Sequence, residues 1–297
     1  MKHKTMLIVM ALIAMLTVGP LAGCGQNASS ESSPAQNTSS ETQEQSKDEV
    51  IAELKSAAAN APEFKSVTVN ETTAWTYVDG DAAKPETIQA TGTYKFDMSG
   101  DQPKESITAE YGNEKLQYFT DGKNAVLVLD GTAYSGTAEQ FGAQDYSGFD
   151  TFIKHVIGER DAIIGYTTSA QKVDADGLNV YALTLDPQKY LASDPMLTVL
   201  ADAGYPVKDA LLTISLNKDG NVVSMNMVVG FEGSGLVESL EFSDFGSTVV
   251  DPTPEATKTY EEMDEDKQQE IEQLIKTLDA YDASAGEASP EATTNAS

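Results

Sequence analysis

Thr93-Tyr94-Lys95-Phe96-Asp97-Met98 alternates large apolar and polar side chains without a break. Successive side chains of a strand point to opposite faces, so this stretch asks for a sheet with one buried side and one solvated side. The same period extends outward in both directions. Val67 and Val69, then Trp75 and Tyr77, alternate upstream; Ile107, Ala109 and Tyr111, then Leu116 and Tyr118, then Ala125 to Leu129 follow downstream. Strands resume from Val173 through Val180 to Leu185, over Leu211 to Leu216 and Val222 to Val229, and finally over Leu236 to Phe242. Five Asp-Gly pairs, beginning at Asp79, Asp121, Asp130, Asp176 and Asp219, punctuate the series. Asp-Gly favours hairpin turns in which both central residues take positive φ. The segments around Asp176 and Asp219 lack the ligand spacing and closing Glu of an EF-hand loop, so they read as turns.

Helical signals are fewer. Ser46-Lys47-Asp48-Glu49 has the form of a capping box, and Val50, Ile51, Leu54 and Ala58 behind it share one helical face until Pro62. Phe149, Phe152, Ile153, Val156 and Ile157 share another face, closed by Gly158. Asp194-Pro195 caps a third segment over Met196 to Leu200. The expected architecture is α+β: a long antiparallel sheet over residues 49–260, covered on one face by helices. Glu255 to Tyr260 suggests a short helical turn. An acidic helix over 261–282 follows, with Met263, Ile271, Leu274, Ile275 and Leu278 as its apolar positions, and 283–297 is a small, polar, disordered tail.

The amino terminus carries the strongest single signal. Lys2, His3 and Lys4 precede an apolar stretch from Met6 to Val18, too short to span a bilayer, which needs about 20 residues, but suited to a signal peptide. Leu21-Ala22-Gly23-Cys24 follows and resembles the lipobox of bacterial lipoproteins. That resemblance implies recognition of Leu21, Ala22 and Gly23 by the signal peptidase, removal of residues 1–23, and Cys24 as the lipidated terminus. A diacylglycerol there, with its two acyl chains, would hold the protein on the outer face of the cell membrane, at about 0.8 kcal/mol per buried CH₂. Residues 24–48 are rich in Ser, Thr, Asn and Gln, and are expected to be a disordered tether.

Charge and composition exclude several functions. Lys and Arg number 19 against 47 Asp and Glu, a net charge of −28. Nucleic acid and anionic lipid headgroups are therefore poor partners. One Cys and two His leave no disulfide within the chain and no His- or Cys-built metal site, and no cofactor is expected. His155 lies within an apolar helical stretch with no Gly-x-Ser-x-Gly elbow elsewhere, so no catalytic triad is expected. Asp145, Asp150, Glu159 and Asp161 read as solvated, and the protein as a non-enzyme.

The exit from the sheet, Phe242-Ser243-Asp244-Phe245-Gly246 and then Val249-Val250-Asp251-Pro252-Thr253-Pro254-Glu255-Ala256, resembles the end of LolA/LppX-type lipoproteins, including small Gram-positive members of unassigned role. The resemblance implies a sheet curved into an open half-barrel, a closing strand, a short Pro-led helix, and an apolar cavity between sheet and helices. Candidates for the cavity are Trp75, Tyr77, Tyr94, Phe96, Met98, Tyr118, Leu183, Leu185, Met225 and Met227. The implied function is to bind or carry a hydrophobic ligand, a lipid or lipoconjugate. The alternative is a surface interaction or sensing module whose sheet is filled and whose acidic C-terminal helix meets a protein partner.

Overall fold

A computed structural model of the chain describes residues 45–77, 86–100, 102–112, 114–141, 161–193, 206–269 and 271–272. Among these described residues, twelve strands form one open sheet in the spatial order β12-β6-β5-β4-β3-β2-β1-β11-β10-β9-β8-β7. In chain order these are β1 (Ser66–Tyr77), β2 (Glu86–Asp97), β3 (Lys104–Tyr111), β4 (Glu114–Thr120), β5 (Asn124–Leu129), β6 (Thr132–Thr137), β7 (Thr167–Ala175), β8 (Leu178–Leu185), β9 (Val207–Leu216), β10 (Val222–Phe231), β11 (Ser234–Ser243) and the short β12 (Lys258–Thr259). Neighbours are antiparallel except β12, which runs parallel to β6. The first and last long strands, β1 and β11, pair in the middle, with Val69 opposite Phe242 and Trp75 opposite Leu236. Two meanders spread from that seam, and the outermost strands β12 and β7 do not meet.

The hairpin across residues 217–221 joins β9 to β10 as expected. The Asn217 side-chain oxygen accepts from the backbone N–H groups of Asp219 and Asn221, both at 3.0 Å, and holds that turn. The two-positive-φ turn expected of Asp-Gly forms at Asp130-Gly131 and Asp176-Gly177. At Asp121 and Asp219 only the following glycine is left-handed. In both of these the connection is longer than two residues, so a single positive φ is enough to reverse it. Asp79-Gly80 lies outside the described residues.

Helix α1 (Lys47–Ala59) carries the capping box: the Ser46 backbone donates to Glu49 at 2.8 Å, and the Glu49 backbone donates back to the Ser46 hydroxyl at 3.4 Å. Val50, Leu54 and Ala58 are buried, as their spacing requires. Lys172 of β7 pairs with Glu53 of α1 at 2.7 Å, and the Tyr181 phenol of β8 donates to the same oxygen. Two more short helices, α2 (Asp161–Gly165) and α3 (Pro187–Ser193), pack against β8 and β9. These three helices therefore lie along the β7–β9 half of the sheet. The helices expected at 149–157 and 195–200 lie outside the described residues.

One helix was not expected, and two local expectations need correction. Asp186-Pro187 has the same cap-plus-proline form as Asp194-Pro195 and starts α3, with the Asp186 carboxylate accepting from the N–H groups of Gln188 and Lys189. The helical turn expected beyond Pro252 is absent: residues 249–257 carry no helix, and Lys258–Thr259 is a strand. Pro252 and Pro254 push Asp251 and Thr253 toward extended backbone, and Asp251 is pinned to the outer face by Lys95 at 2.6 Å and by the Ser106 hydroxyl. The acidic helix also begins later than 261. Tyr260–Glu262 forms a tight 3₁₀ turn, and Lys267 and Gln268 are the first residues to donate back to the Asp264 carbonyl. Met263 and Ile271 of this segment are buried in the core.

Candidate functional site

Register decides which side chains share the buried face. Across β1 and β2, Val67 faces Phe96 and Val69 faces Tyr94; across β3 and β4, Tyr94 faces Ile107, which faces Tyr118. In the other half, Leu183 faces Leu212, which faces Met227, and Met225 faces Leu240. Nine of the cavity candidates thus sit at strand positions on one face, and Met98 follows Phe96 just beyond β2. Tyr94, Phe96, Tyr118, Leu183, Leu185, Met225 and Met227 are buried. Trp75 and Met98 are half-buried against the same core, Trp75 with its ring 5.4 Å from that of Phe231. Tyr77 stays half-exposed, its phenol donating to Glu86 at 3.1 Å. Cys24, Leu21, Ala22 and Gly23 lie outside the described residues, as does His155.

The same face carries three carboxylates that the hydrophobic pattern masked. Glu71 lies between Val69 and Thr73 on β1, Glu105 two residues before Ile107 on β3, and Glu238 between Leu236 and Leu240 on β11. Their exposures are 6%, 3% and 5%. The signal was in the alternation, since each acid falls on the apolar phase of its own strand. A lone carboxylate in such surroundings is costly unless it is hydrogen-bonded or holds its proton.

Glu71 is hydrogen-bonded. The Thr73 hydroxyl donates to it at 2.8 Å, and the Tyr94 phenol donates to its other oxygen in a short contact. Burial still raises the Glu71 carboxyl, and burial followed by the Glu71 charge holds the Tyr94 phenol well above its usual range. Glycine makes this arrangement possible. Gly92 sits directly opposite Glu71, and a Cβ there would lie 2.7 Å from the Tyr94 phenol oxygen. The tyrosine ring lies over the bare backbone to reach the carboxylate.

Glu105 is different. Burial alone pushes its carboxyl up to about 8, and its Oε1 has no hydrogen-bond partner among the described residues. The phenol of Tyr118, one strand over, also lacks a partner there. Burial, followed by the charge of Glu105, raises that phenol, while the neighbouring Thr120 hydroxyl pulls it down, so the phenol feels Glu105 on one side and Thr120 on the other. Among the described residues no three His, Cys, Asp or Glu side chains converge to hold a metal ion.

No protein-family model and no curated protein sequence matches the chain. Among solved structures it is similar to LprF from Mycobacterium bovis, at 15% identity over 70% of this chain and 98% of that one, with a TM-score of 0.37. It is similar to the lipoprotein LppX from Mycobacterium tuberculosis, at 14% identity over 68% and 98%, with a TM-score of 0.39. A LolA-superfamily protein from Nitrosomonas europaea matches at 10% identity over 70% and 95%, with a TM-score of 0.22. Scores this low lend no weight to a functional assignment. The chemistry of the face does that instead.

Proposed function

We propose that this chain is a non-enzymatic extracytoplasmic lipoprotein, anchored through Cys24, whose sheet forms a LolA/LppX-like half-barrel that binds or carries a hydrophobic ligand on its apolar face. One observation carries this reading: that face is broad but not sealed. Its side chains are buried over most of the sheet, whereas Trp75, Tyr77 and Ile88, which share the same register at one end of β1 and β2, remain partly accessible. A filled core would have little reason to leave a tryptophan, a tyrosine and an isoleucine together at a rim. An amphiphile entering between sheet and cover would use them as its mouth. Met225 and Met227 suit a ligand of variable shape, because their side chains adapt at low cost.

The alternative, a partner-binding C-terminal helix on a filled domain, is disfavoured by Met263 and Ile271. These apolar residues are already packed into the sheet's own core. No helix among the described residues is long and apolar enough to cross a membrane.

Two measurements test the proposal. Radioactive palmitate should label the protein and not its Cys24→Ser variant; an unlabelled wild type removes the anchor. The wild type, extracted from membranes in mild detergent, should release a lipid in near-stoichiometric amount under native mass spectrometry. Recovery of no lipid, with no thermal shift on adding acyl lipids, removes the carrier role.

A further inference from the structure

Three buried carboxylates and two phenols line one band across the middle of a face that is otherwise apolar: Glu71, Glu105 and Glu238 with Tyr94 and Tyr118. The inward positions of β1–β4 and β11 contribute no lysine or arginine to this band. Lys95, Lys104 and Lys115 all fall on the opposite phase of their strands. Resting on the amphiphile reading above, we propose that this band receives the polar head of the ligand, that the head is a hydrogen-bond donor without negative charge, an alcohol or an amine, and that Glu105 and Tyr118 bind it directly.

The case starts from two atoms. Glu105 is 3% exposed and Tyr118 6%, yet Glu105 Oε1 has no partner among the described residues, and the Tyr118 hydroxyl has the Thr120 hydroxyl near it but short of a made hydrogen bond. Native proteins pair nearly all such atoms, and leaving one unpaired costs about 1–3 kcal/mol. Glu71 shows the contrast, because the same chain surrounds it with Thr73 and Tyr94 donors. Glu105 and Tyr118 lie on adjacent strands, one residue pair apart on the same face. A single hydroxyl between them could donate to Glu105 Oε1 and accept from the Tyr118 phenol, satisfying both. An amine would do the same by donating to both oxygens. Phosphate, sulfate or carboxylate heads would meet three acids and no compensating cation on these strands. Ile107, Ala109, Leu116 and Leu127 flank the pair in register and offer an apolar wall for the chain behind the head.

Four probes with equal alkyl chains separate the outcomes: a monoacylglycerol, a dodecylamine, a dodecyl phosphate and headless dodecane. Each is titrated into the full-length protein, its Glu105→Gln variant and its Tyr118→Phe variant, with folding of the variants checked by circular dichroism. The alcohol or the amine should bind at least tenfold more tightly than the phosphate, and which of the two wins identifies the head. Both variants should lose about tenfold for the favoured head and nothing for dodecane. Phosphate binding as tight as alcohol and amine, or variants that weaken every probe equally, would overturn the head site while leaving the apolar site standing. Failure of all four probes would overturn both.

Discussion

Replacing Glu105 with glutamine should stabilise the protein, and by an amount that depends on pH in a prescribed way. The carboxyl titrates near 8 in the folded chain against an ordinary value of 4.5, and burial is the cause. Below about pH 4.5 both folded and unfolded chains hold the proton, and the residue contributes no pH dependence. As pH rises, the unfolded chain ionises first while the folded one keeps its proton. Stability then falls by about 1.4 kcal/mol per pH unit until the folded group also ionises near 8. The accumulated cost approaches about 5 kcal/mol, a large part of the 5–15 kcal/mol typical of a domain. Glutamine preserves the shape and cannot ionise. Urea denaturation of wild type and variant at pH 5, 6, 7, 8 and 9 isolates this residue, because the other acids cancel in the difference. The variant's advantage should be small at pH 5, grow through pH 7 and level off above 8. A difference that stays flat from pH 5 to 9 would refute the burial of an uncompensated carboxyl at this position.

Gly92→Ala should drive the Tyr94 ring off its contact with Glu71, at a cost of about 1–3 kcal/mol from overpacking; an unchanged melting temperature would show that the ring does not lie over Gly92. Ser46→Ala should cost about 1 kcal/mol by removing the cap of α1, read as a lower urea midpoint with an unchanged slope. Leu54→Ala, at a fully buried site on α1, should cost about 2–5 kcal/mol in the same assay. Asp251→Asn should loosen the extended exit segment from Lys95 and Ser106. Its effect should appear as faster amide exchange at Asp251 and Thr257, whose N–H groups donate to Ser106 and Ala133, with little change at β8 and β9.

Local chemistry was legible wherever the deciding partner lies within a few residues. The Ser46 box closes over three residues, Asp176-Gly177 reverses the chain in two, and Tyr94 and Phe96 had to share a face because period two permits nothing else. The exit segment misled because two prolines resemble a helix start, whereas their extended course is set by an ion pair to Lys95, far away in the chain. Helix α3 was missed although Asp186-Pro187 has the same form as the pair chosen eight residues later. Cap chemistry marks where a helix can begin, and α3 obeys it, while the segment from Asp194 lies outside the described residues.

The polar band shows the same division. From its own strand, each of Glu71, Glu105 and Glu238 could be assigned to the apolar phase. That the three belong to one band depends on β11 returning to pair with β1, which brings residues 234–243 beside residues 68–77. Alternation specifies a side of a ribbon but not its neighbours, because strand order is chosen by the burial available to the whole chain rather than by any segment. The amino acids alone thus determined a half-buried antiparallel sheet, its turns and its opening helix. The long-range pairing alone decided that three acids and two phenols would converge in its core, and that Glu105 Oε1 would find no partner among the described residues.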